Sequence, residues 1–178
     1  MSAGMMMLLI VAGLPADAPQ AASPYAGQQA RMVKALSPEE VTAYLEGQGM
    51  GLAKAAELNH YPGPKHVLEL AEGLALSGAQ AARVKAAFDA MHAEAVRLGA
   101  EVLAAEQALD ALFAEGTAAP EPLRAAVGRV ARLQGELRAV HLLAHLETRA
   151  ALSPEQVARY DRLRGYGEGA AHEHRPHE

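Results

Sequence analysis

Histidine is the residue type in this chain whose spacing suggests chemistry, since the sequence has 8 histidines and no cysteine. His141 and His145 are four positions apart, so on a helix their imidazole rings lie on one face and can bind one metal ion. If that helix pairs antiparallel with the preceding one, Met91 and His92 lie opposite His145. Three imidazoles and a thioether then converge, which suits zinc, nickel or copper. In the alternative interpretation, His141 and His145 are half-exposed residues beside an apolar seam and bind metal by accident.

The C-terminal end of the chain holds a second group of histidines. His172, His174 and His177 lie close together in the sequence, a composition typical of metal-capturing segments. Ordering a flexible segment opposes binding by about 1–2 kcal/mol per residue, so a site in this tail would be weak. The alternative is a solvated polar terminus with incidental affinity for divalent metals. His60 and His66 flank a proline-rich corner and are interpreted as loop residues. The candidate metal ligands are therefore His92, His141, His145, His172, His174 and His177.

The remaining polar residues form no recognisable catalytic motif. The sequence has no Gly-rich phosphate loop before a helix, no His-Glu-x-x-His zinc-protease pattern, and no Ser, His and acid group in a nucleophile-elbow context. Its carboxylates are most simply interpreted as solvated helix faces. The chain is therefore predicted not to be an enzyme and to require no cofactor. A formal charge of -5 gives no basic surplus for a phosphate backbone, so nucleic acid is not expected as a partner.

Helices would position the histidines. Hydrophobic residues make up 51% of the chain and aromatic residues 4%, and the alternating runs typical of strands do not occur. Ser37, Ser77 and Ser153 each stand three residues before Glu or Gln, which is the pattern of a helix N-terminus. The sequence predicts short helices within 38–58, with a pause at the glycines near 47–51, and over about 66–74. A long helix from residue 78 and a final short helix after Ser153 complete the prediction.

The segment 78–115 carries the clearest periodic pattern. Its apolar residues alternate steps of four and three, which indicates a helix packed lengthwise against another. At about 1.5 Å per residue this helix would be roughly 57 Å long, so it needs a partner. The outgoing apolar positions are Val84, Phe88, Met91, Ala95, Leu98, Val102, Ala105, Leu109 and Leu112. After a turn at 116–120, the returning positions are Leu123, Val127, Val130, Leu133, Leu137, Val140 and Ala144.

The charges of the two long helices, and the apolar residues outside their seam, indicate how the hairpin assembles. Acidic residues dominate the outgoing helix between 89 and 115 and arginines dominate the returning one, which favours antiparallel docking. Leu103, Leu142 and Leu146 form an apolar edge that the hairpin itself does not use. The predicted fold class is all-α, a long antiparallel helical hairpin with short flanking helices that forms a dimer.

The N-terminal residues are typical of an export signal. Residues 5–14 form an apolar run of about ten residues, which suits the core of a signal peptide and is shorter than the roughly 20 needed to span a bilayer. The alternative is a disordered apolar N-terminus on a cytoplasmic protein, because no Lys or Arg precedes Arg31. We divide the chain into a signal peptide (1–22), an extended N-terminal segment (23–35), a helical hairpin domain (36–165) and a flexible His-rich tail (166–178). No stable membrane insertion is expected after removal of the signal.

Two short motifs resemble those of a known family. Leu-Ser-Gly-Ala-Gln at 76–80 and Leu-Ser-Pro-Glu-Gln at 152–156 are similar to the twin Leu-Thr-x-x-Gln motifs of the Spy/CpxP family. Related heavy-metal sensors and zinc-resistance proteins share the long helical hairpin of that family. The resemblance extends over about residues 30–165, and Ser stands in place of Thr in both motifs.

The resemblance implies a periplasmic stress-response protein that acts by binding. Proteins of this kind are cradle-shaped helical dimers that shield unfolded clients, or metal-binding partners of an envelope signalling system. The expected partners are unfolded or envelope proteins, or a membrane sensor, together with a second copy of the chain in a homodimer. The alternative is a dedicated periplasmic sensor or scavenger of zinc, nickel or copper that uses the hairpin and tail histidines.

Overall fold

The structure is a computed structural model that describes residues 22–166. The described residues divide into two units, 22–30 and 31–166. In the first unit, the described residues end in a short 3-10 helix, Gln28–Ala30. The described part of the chain contains helices and no strand, which confirms the all-α prediction. Most of the predicted signal peptide, and the tail ligands His172, His174 and His177, lie outside the described residues.

The described part of the second unit contains six α-helices. The short helices are α1 (Pro38–Leu45), α2 (Lys54–Glu57), α3 (Pro64–Glu69) and α6 (Pro154–Arg164), and the long ones are α4 (Gly78–Ala114) and α5 (Pro120–Ala151). These bounds are close to the predicted ones except in α3, which ends at Glu69 rather than near residue 74. The chain enters a series of turns after α3 that extends to Ala75, whose φ is 49°.

Local side-chain hydrogen bonds fix three of the helix starts. Helices α1, α4 and α6 each begin with a complete capping box, in which the cap serine hydroxyl accepts a hydrogen bond from the backbone N–H three residues later. The Glu or Gln at that later position accepts one from the backbone N–H of the serine in return. Each box satisfies two backbone donors that a helix start would otherwise leave without partners. The predicted helix starts at Ser37, Ser77 and Ser153 are therefore confirmed.

The glutamines of the two Leu-Ser-x-x-Gln motifs also bind each other. The side-chain amide of Gln80 donates to Oε1 of Gln156 over 2.8 Å, and the amide of Gln156 donates to Oε1 of Gln80 over 3.1 Å. The same amides reach the carbonyl oxygens of Ala151 at 3.0 Å and Leu74 at 3.3 Å. The motifs therefore join the start of α4 to the start of α6, in addition to capping both helices.

Helices α4 and α5 form the predicted antiparallel hairpin. Its core consists of buried apolar residues from both helices, packed lengthwise: Ala95, Leu98, Val102, Ala105, Val130, Leu133 and Leu137. Among the described residues, no ion pair joins α4 to α5, because the charged side chains of these helices pair mainly within one helix. Burial of the apolar seam therefore accounts for the docking better than the opposite charges do.

One predicted seam position is wrong. The apolar periodicity predicts Val127 on the packed face of the returning helix, but Val127 is 49% exposed, and the neighbouring Ala126 is the half-buried residue there. This part of α5 lies near the turn of the hairpin, where a small residue suffices to contact α4. A single residue of difference in register decides which side chain faces inward.

Helix α1 packs across α4 at Gly99. A Cβ added at Gly99 would lie 2.1 Å from the carbonyl oxygen of Tyr44, so the two backbones are in direct contact. Ala43 is buried, and Tyr44 is half-buried against the hairpin core. Glycine is therefore required at this crossing, and α1 holds the following loop beside the middle of α4.

A second core lies at the open end of the hairpin. It contains buried residues from α3, α4 and α6 and from the turns between them: Val67, Leu74, Val84, Leu152, Val157 and Tyr160. Tyr160 is 1% exposed, so α6 is firmly packed over this end. None of the helices in residues 22–166 combines the length and apolar character that a bilayer crossing requires.

Candidate metal centre

A cavity of about 680 Å³ opens between the loop 46–53, α3 and the half of the hairpin nearer its open end. Four imidazoles and two thioethers are among the side chains that line it: His66, His92, His141, His145, Met50 and Met91. We call this space the imidazole cavity. His92, His141, His145 and Met91 are the four residues that the sequence predicts to lie together on the hairpin.

The two α5 histidines are buried in the cavity wall. His141 is 4% exposed and His145 is 8% exposed, so the interpretation of both as half-exposed flank residues is wrong. The corner at Pro62 and Gly63 lies over this side of α5, and a two-helix pattern does not reveal such a cover. Burial, followed by the charges of His145 and His92, lowers the pKa of His141. The His141 ring is therefore held in its neutral form, which is the form that binds metals.

His141 has a nitrogen without a hydrogen-bond partner. Its Nε2 is buried and neither accepts nor donates a hydrogen bond within the described residues. An unpartnered buried polar atom costs about 1–3 kcal/mol relative to a satisfied one. Because His141 lines the imidazole cavity, a metal ion is one partner that could satisfy this nitrogen.

A hydrogen bond at Nδ1 orients the His145 ring. Nδ1 of His145 lies 2.7 Å from the carbonyl oxygen of Tyr61, and a carbonyl can only accept, so Nδ1 carries the proton that is donated. In the neutral ring the lone pair is then on Nε2. A Cβ at Gly63 would lie 3.0 Å from Cε1 of this ring, so the glycine permits the corner to close on the imidazole. Metal-binding histidines commonly have this arrangement.

His92 lies at the exposed edge of the cavity. Its ring stacks on that of Phe88, with 5.7 Å between the ring centroids and 7° between the planes. A Cβ at Gly47 would lie 3.2 Å from Nδ1 of His92, which shows that the loop after α1 passes directly over this ring. Gly47 has a φ of 60°, so the loop depends on a residue that tolerates the left-handed region.

Sequence reasoning missed His66, which was interpreted as a loop residue. It lies on α3 and lines the same cavity, with its Nδ1 2.9 Å from Oε2 of Glu69. That hydrogen bond lowers the pKa of Glu69. A carboxylate that accepts from one ring nitrogen leaves the other free to face a ligand. The spacing of three between His66 and Glu69 was the available signal, but it did not indicate that α3 packs beside α5.

Two methionines add soft donors to the cavity lining. Met91 is half-buried on α4, one residue before His92. Met50 is 40% exposed and has a φ of 42°, although it carries a side chain. A backbone in this region is uncommon for a residue other than glycine and is often found at functional sites. Thioether sulfurs favour soft metal ions, copper(I) above all.

The sequence of this cavity region matches a known family. The heavy-metal resistance family matches residues 51–159, which is more than half of the 178 residues. The chain belongs to the heavy-metal resistance family. No curated protein and no solved structure matches the chain. The predicted resemblance is thus confirmed at the level of this family, which is related to the Spy/CpxP-like periplasmic proteins.

In this heavy-metal resistance protein, the donors fit a transition metal in kind, and they surround the cavity at a distance from one another. No group of three or more His, Asp or Glu side chains within residues 22–166 is already arranged to hold an ion. The buried Nε2 of His141 and the oriented ring of His145 supply two nitrogen donors from α5. His92 on α4 and His66 on α3 are the further nitrogens. A metal bound by more than the α5 pair would have to draw these walls together.

Proposed function

We propose that this member of the heavy-metal resistance family is a periplasmic protein that captures a transition metal ion in the imidazole cavity. The observation that supports this best is the buried, unpartnered Nε2 of His141, a residue that lines the same cavity as three other histidines. Zinc, nickel and copper are the proposed ions because imidazole binds all three. The histidines would bind the metal as a sensor or scavenger does, and no reaction is proposed.

The folded cavity is proposed as the principal site, ahead of the C-terminal tail. His141 and His145 are held in place by helix packing, so they lose little conformational freedom on binding. Each residue of a flexible tail costs about 1–2 kcal/mol to order. His172, His174 and His177 are proposed as a weaker second set of ligands. In this role the tail would raise the local metal concentration near the domain.

Calorimetric titration of the full chain tests the proposal. We expect micromolar or tighter binding of zinc, nickel or copper(I) by the native protein, and loss of that binding in the double variant His141→Ala with His145→Ala. The matched control replaces His172, His174 and His177 with Ala, and should retain the affinity of the native protein. Because imidazoles bind metal in the neutral form, affinity should fall below about pH 6.

Two results would contradict a site in the cavity. Binding that disappears with the tail histidines and survives the double α5 substitution would place the metal on the tail. Affinity that does not change with pH would show that imidazoles are not the ligands.

A second candidate function has its own observation, an apolar outer face on α5. The predicted edge is wrong at Leu103, which is 8% exposed, and at Leu142, which is half-buried. Leu146 is 50% exposed as predicted, and Leu143, 56% exposed, continues the face from the exposed Ala139. Residues spaced in this way share one side of a helix. We propose that this face pairs two copies of the chain, and that the homodimer binds unfolded envelope proteins or a membrane sensor. The metal in the cavity would then regulate the binding.

Substitution of the outer face tests this second function. The double variant Leu143→Ser with Leu146→Ser is expected to sediment as a monomer and to lose the ability to slow aggregation of a denatured client at stoichiometric amounts. Leu45→Ser on α1 is the matched control, since Leu45 is 51% exposed and lies on another helix. Failure of the native protein to slow the aggregation would exclude the chaperone role, and a native monomer would exclude the dimer.

A further inference from the structure

Glu57 is a half-buried carboxylate on α2 that lies between His145, which lines the imidazole cavity, and the C-terminal helix α6. Its side chain is 14% exposed. Its Oε1 accepts hydrogen bonds from the hydroxyl groups of Tyr160 at 2.5 Å and Tyr166 at 3.2 Å. Nε of Arg164 lies 3.6 Å from the same oxygen. One carboxylate oxygen is therefore bound by three side chains from α6 and the residues that follow it.

The other oxygen of Glu57 lies beside His145. Oε2 accepts a hydrogen bond from the backbone N–H of Gly63 at 3.2 Å and lies 3.8 Å from Nδ1 of His145. The Nδ1 proton of His145 is donated to the carbonyl oxygen of Tyr61, so Glu57 is the next acceptor beside it. The carboxylate thus stands between the His145 ring and the phenols of the C-terminal segment.

We infer that Glu57 is a positioning residue that couples metal binding in the imidazole cavity to the packing of α6. This inference rests on the proposed metal-binding function. A metal ion on Nε2 of His145 withdraws electron density from the ring and makes its Nδ1–H a stronger donor. The proton still goes to Tyr61, but the positive charge that the metal adds to the ring attracts the Glu57 carboxylate 3.8 Å away. Through its other oxygen, Glu57 then holds Tyr160 and Tyr166 more firmly. By thermodynamic linkage, the factor by which metal binding stabilises the packed form of α6 equals the factor by which packing of α6 raises the metal affinity.

The geometry explains why this coupling reaches α6 in particular. Tyr160 is 1% exposed and belongs to the second core, so a change in its hydrogen bond is transmitted to a packed side chain. Arg164 is the last residue of α6, and Tyr166 is the first residue of the predicted His-rich tail. Metal in the cavity would thereby fix the position from which the tail starts.

Zinc titration combined with hydrogen exchange tests the inference on the full-length protein. In the native chain, zinc should slow amide exchange over residues 154–166 by about fivefold or more. Glu57→Gln removes the negative charge that lies 3.8 Å from His145, so it should lower zinc affinity by about tenfold, the lower end of the losses seen for groups around metal-binding histidines. Tyr160→Phe removes the shortest of the hydrogen bonds to Glu57 and leaves those of Tyr166 and Arg164, so it should clearly reduce the slowing over 154–166 while the cavity still binds zinc.

Matched controls separate coupling from a general loss of structure. Glu147→Gln removes an exposed carboxylate of α5, and Tyr25→Phe removes an exposed hydroxyl; both should behave like the native protein. Native binding of zinc with no change in exchange over 154–166, or native affinity in Glu57→Gln, would overturn the inference and leave the metal site standing. A native protein that binds no zinc, nickel or copper would overturn both proposals. If Glu57→Gln does not fold, the comparison of Tyr160→Phe with Tyr25→Phe decides the outcome.

Discussion

His141→Leu should make the metal-free protein more stable while it lowers zinc affinity by at least about 100-fold. The two effects have one cause, the Nε2 atom that is buried without a hydrogen-bond partner. Leucine fills a similar volume and has no polar atom to satisfy, so the free energy of unfolding should rise by about 1 kcal/mol. The lost nitrogen is one of the two that α5 supplies to the cavity.

Urea unfolding in the presence of a chelator measures the first effect of this substitution, and calorimetric titration measures the second. His60→Asn is the control, because His60 pairs with Asp161 away from the cavity and has a φ of 65°, which Asn tolerates. This control should bind zinc as the native protein does. If His141→Leu instead lowers stability and leaves zinc affinity unchanged, His141 is a structural residue and the proposed site is wrong.

Gly99→Ala should lower the free energy of unfolding by about 2–4 kcal/mol. The new methyl group would lie 2.1 Å from the carbonyl oxygen of Tyr44 and 2.8 Å from its carbonyl carbon, and both are backbone atoms. A flexible side chain could move aside, but here α1 itself must shift. Because the loop after α1 passes over His92 at Gly47, the same shift should open the cavity and weaken zinc binding.

Gly135→Ala on α5 is the matched control for this prediction. Nothing lies within 4 Å of a Cβ added at Gly135, which is exposed in the middle of the helix. Alanine there should stabilise the protein by about 0.5–1 kcal/mol because it is the better helix former. Chemical unfolding of both variants gives the comparison. Equal stability of Gly99→Ala and Gly135→Ala would show that α1 is not packed on α4 as described.

The interactions between residues close in the sequence could be predicted from the sequence alone. Ser77 and Gln80 are three residues apart, and so are Ser153 and Gln156, so each capping box forms within a single turn of helix. Periodicity likewise indicated which side of each long helix is apolar. The one error in that pattern, Val127, lies near the turn, where a small inward residue is enough for contact.

The sequence also determined half of the candidate site. The spacing of His141 and His145, and the antiparallel register that brings Met91 and His92 to the same level, follow from helix geometry. The structure places all four in the imidazole cavity. The assignment of these residues as metal ligands stays a prediction until the titrations are made.

Only the tertiary structure decided the rest of the site. The burial of His141, the position of His66 and the hydrogen bonds of Glu57 depend on how the short helices fold back over the hairpin. Tyr61 and His145 are 84 residues apart in sequence, and Glu57 and Tyr160 are 103 apart. The sequence pattern of a helix records which face is apolar but not which distant segment covers it, because many segments can bury the same apolar surface.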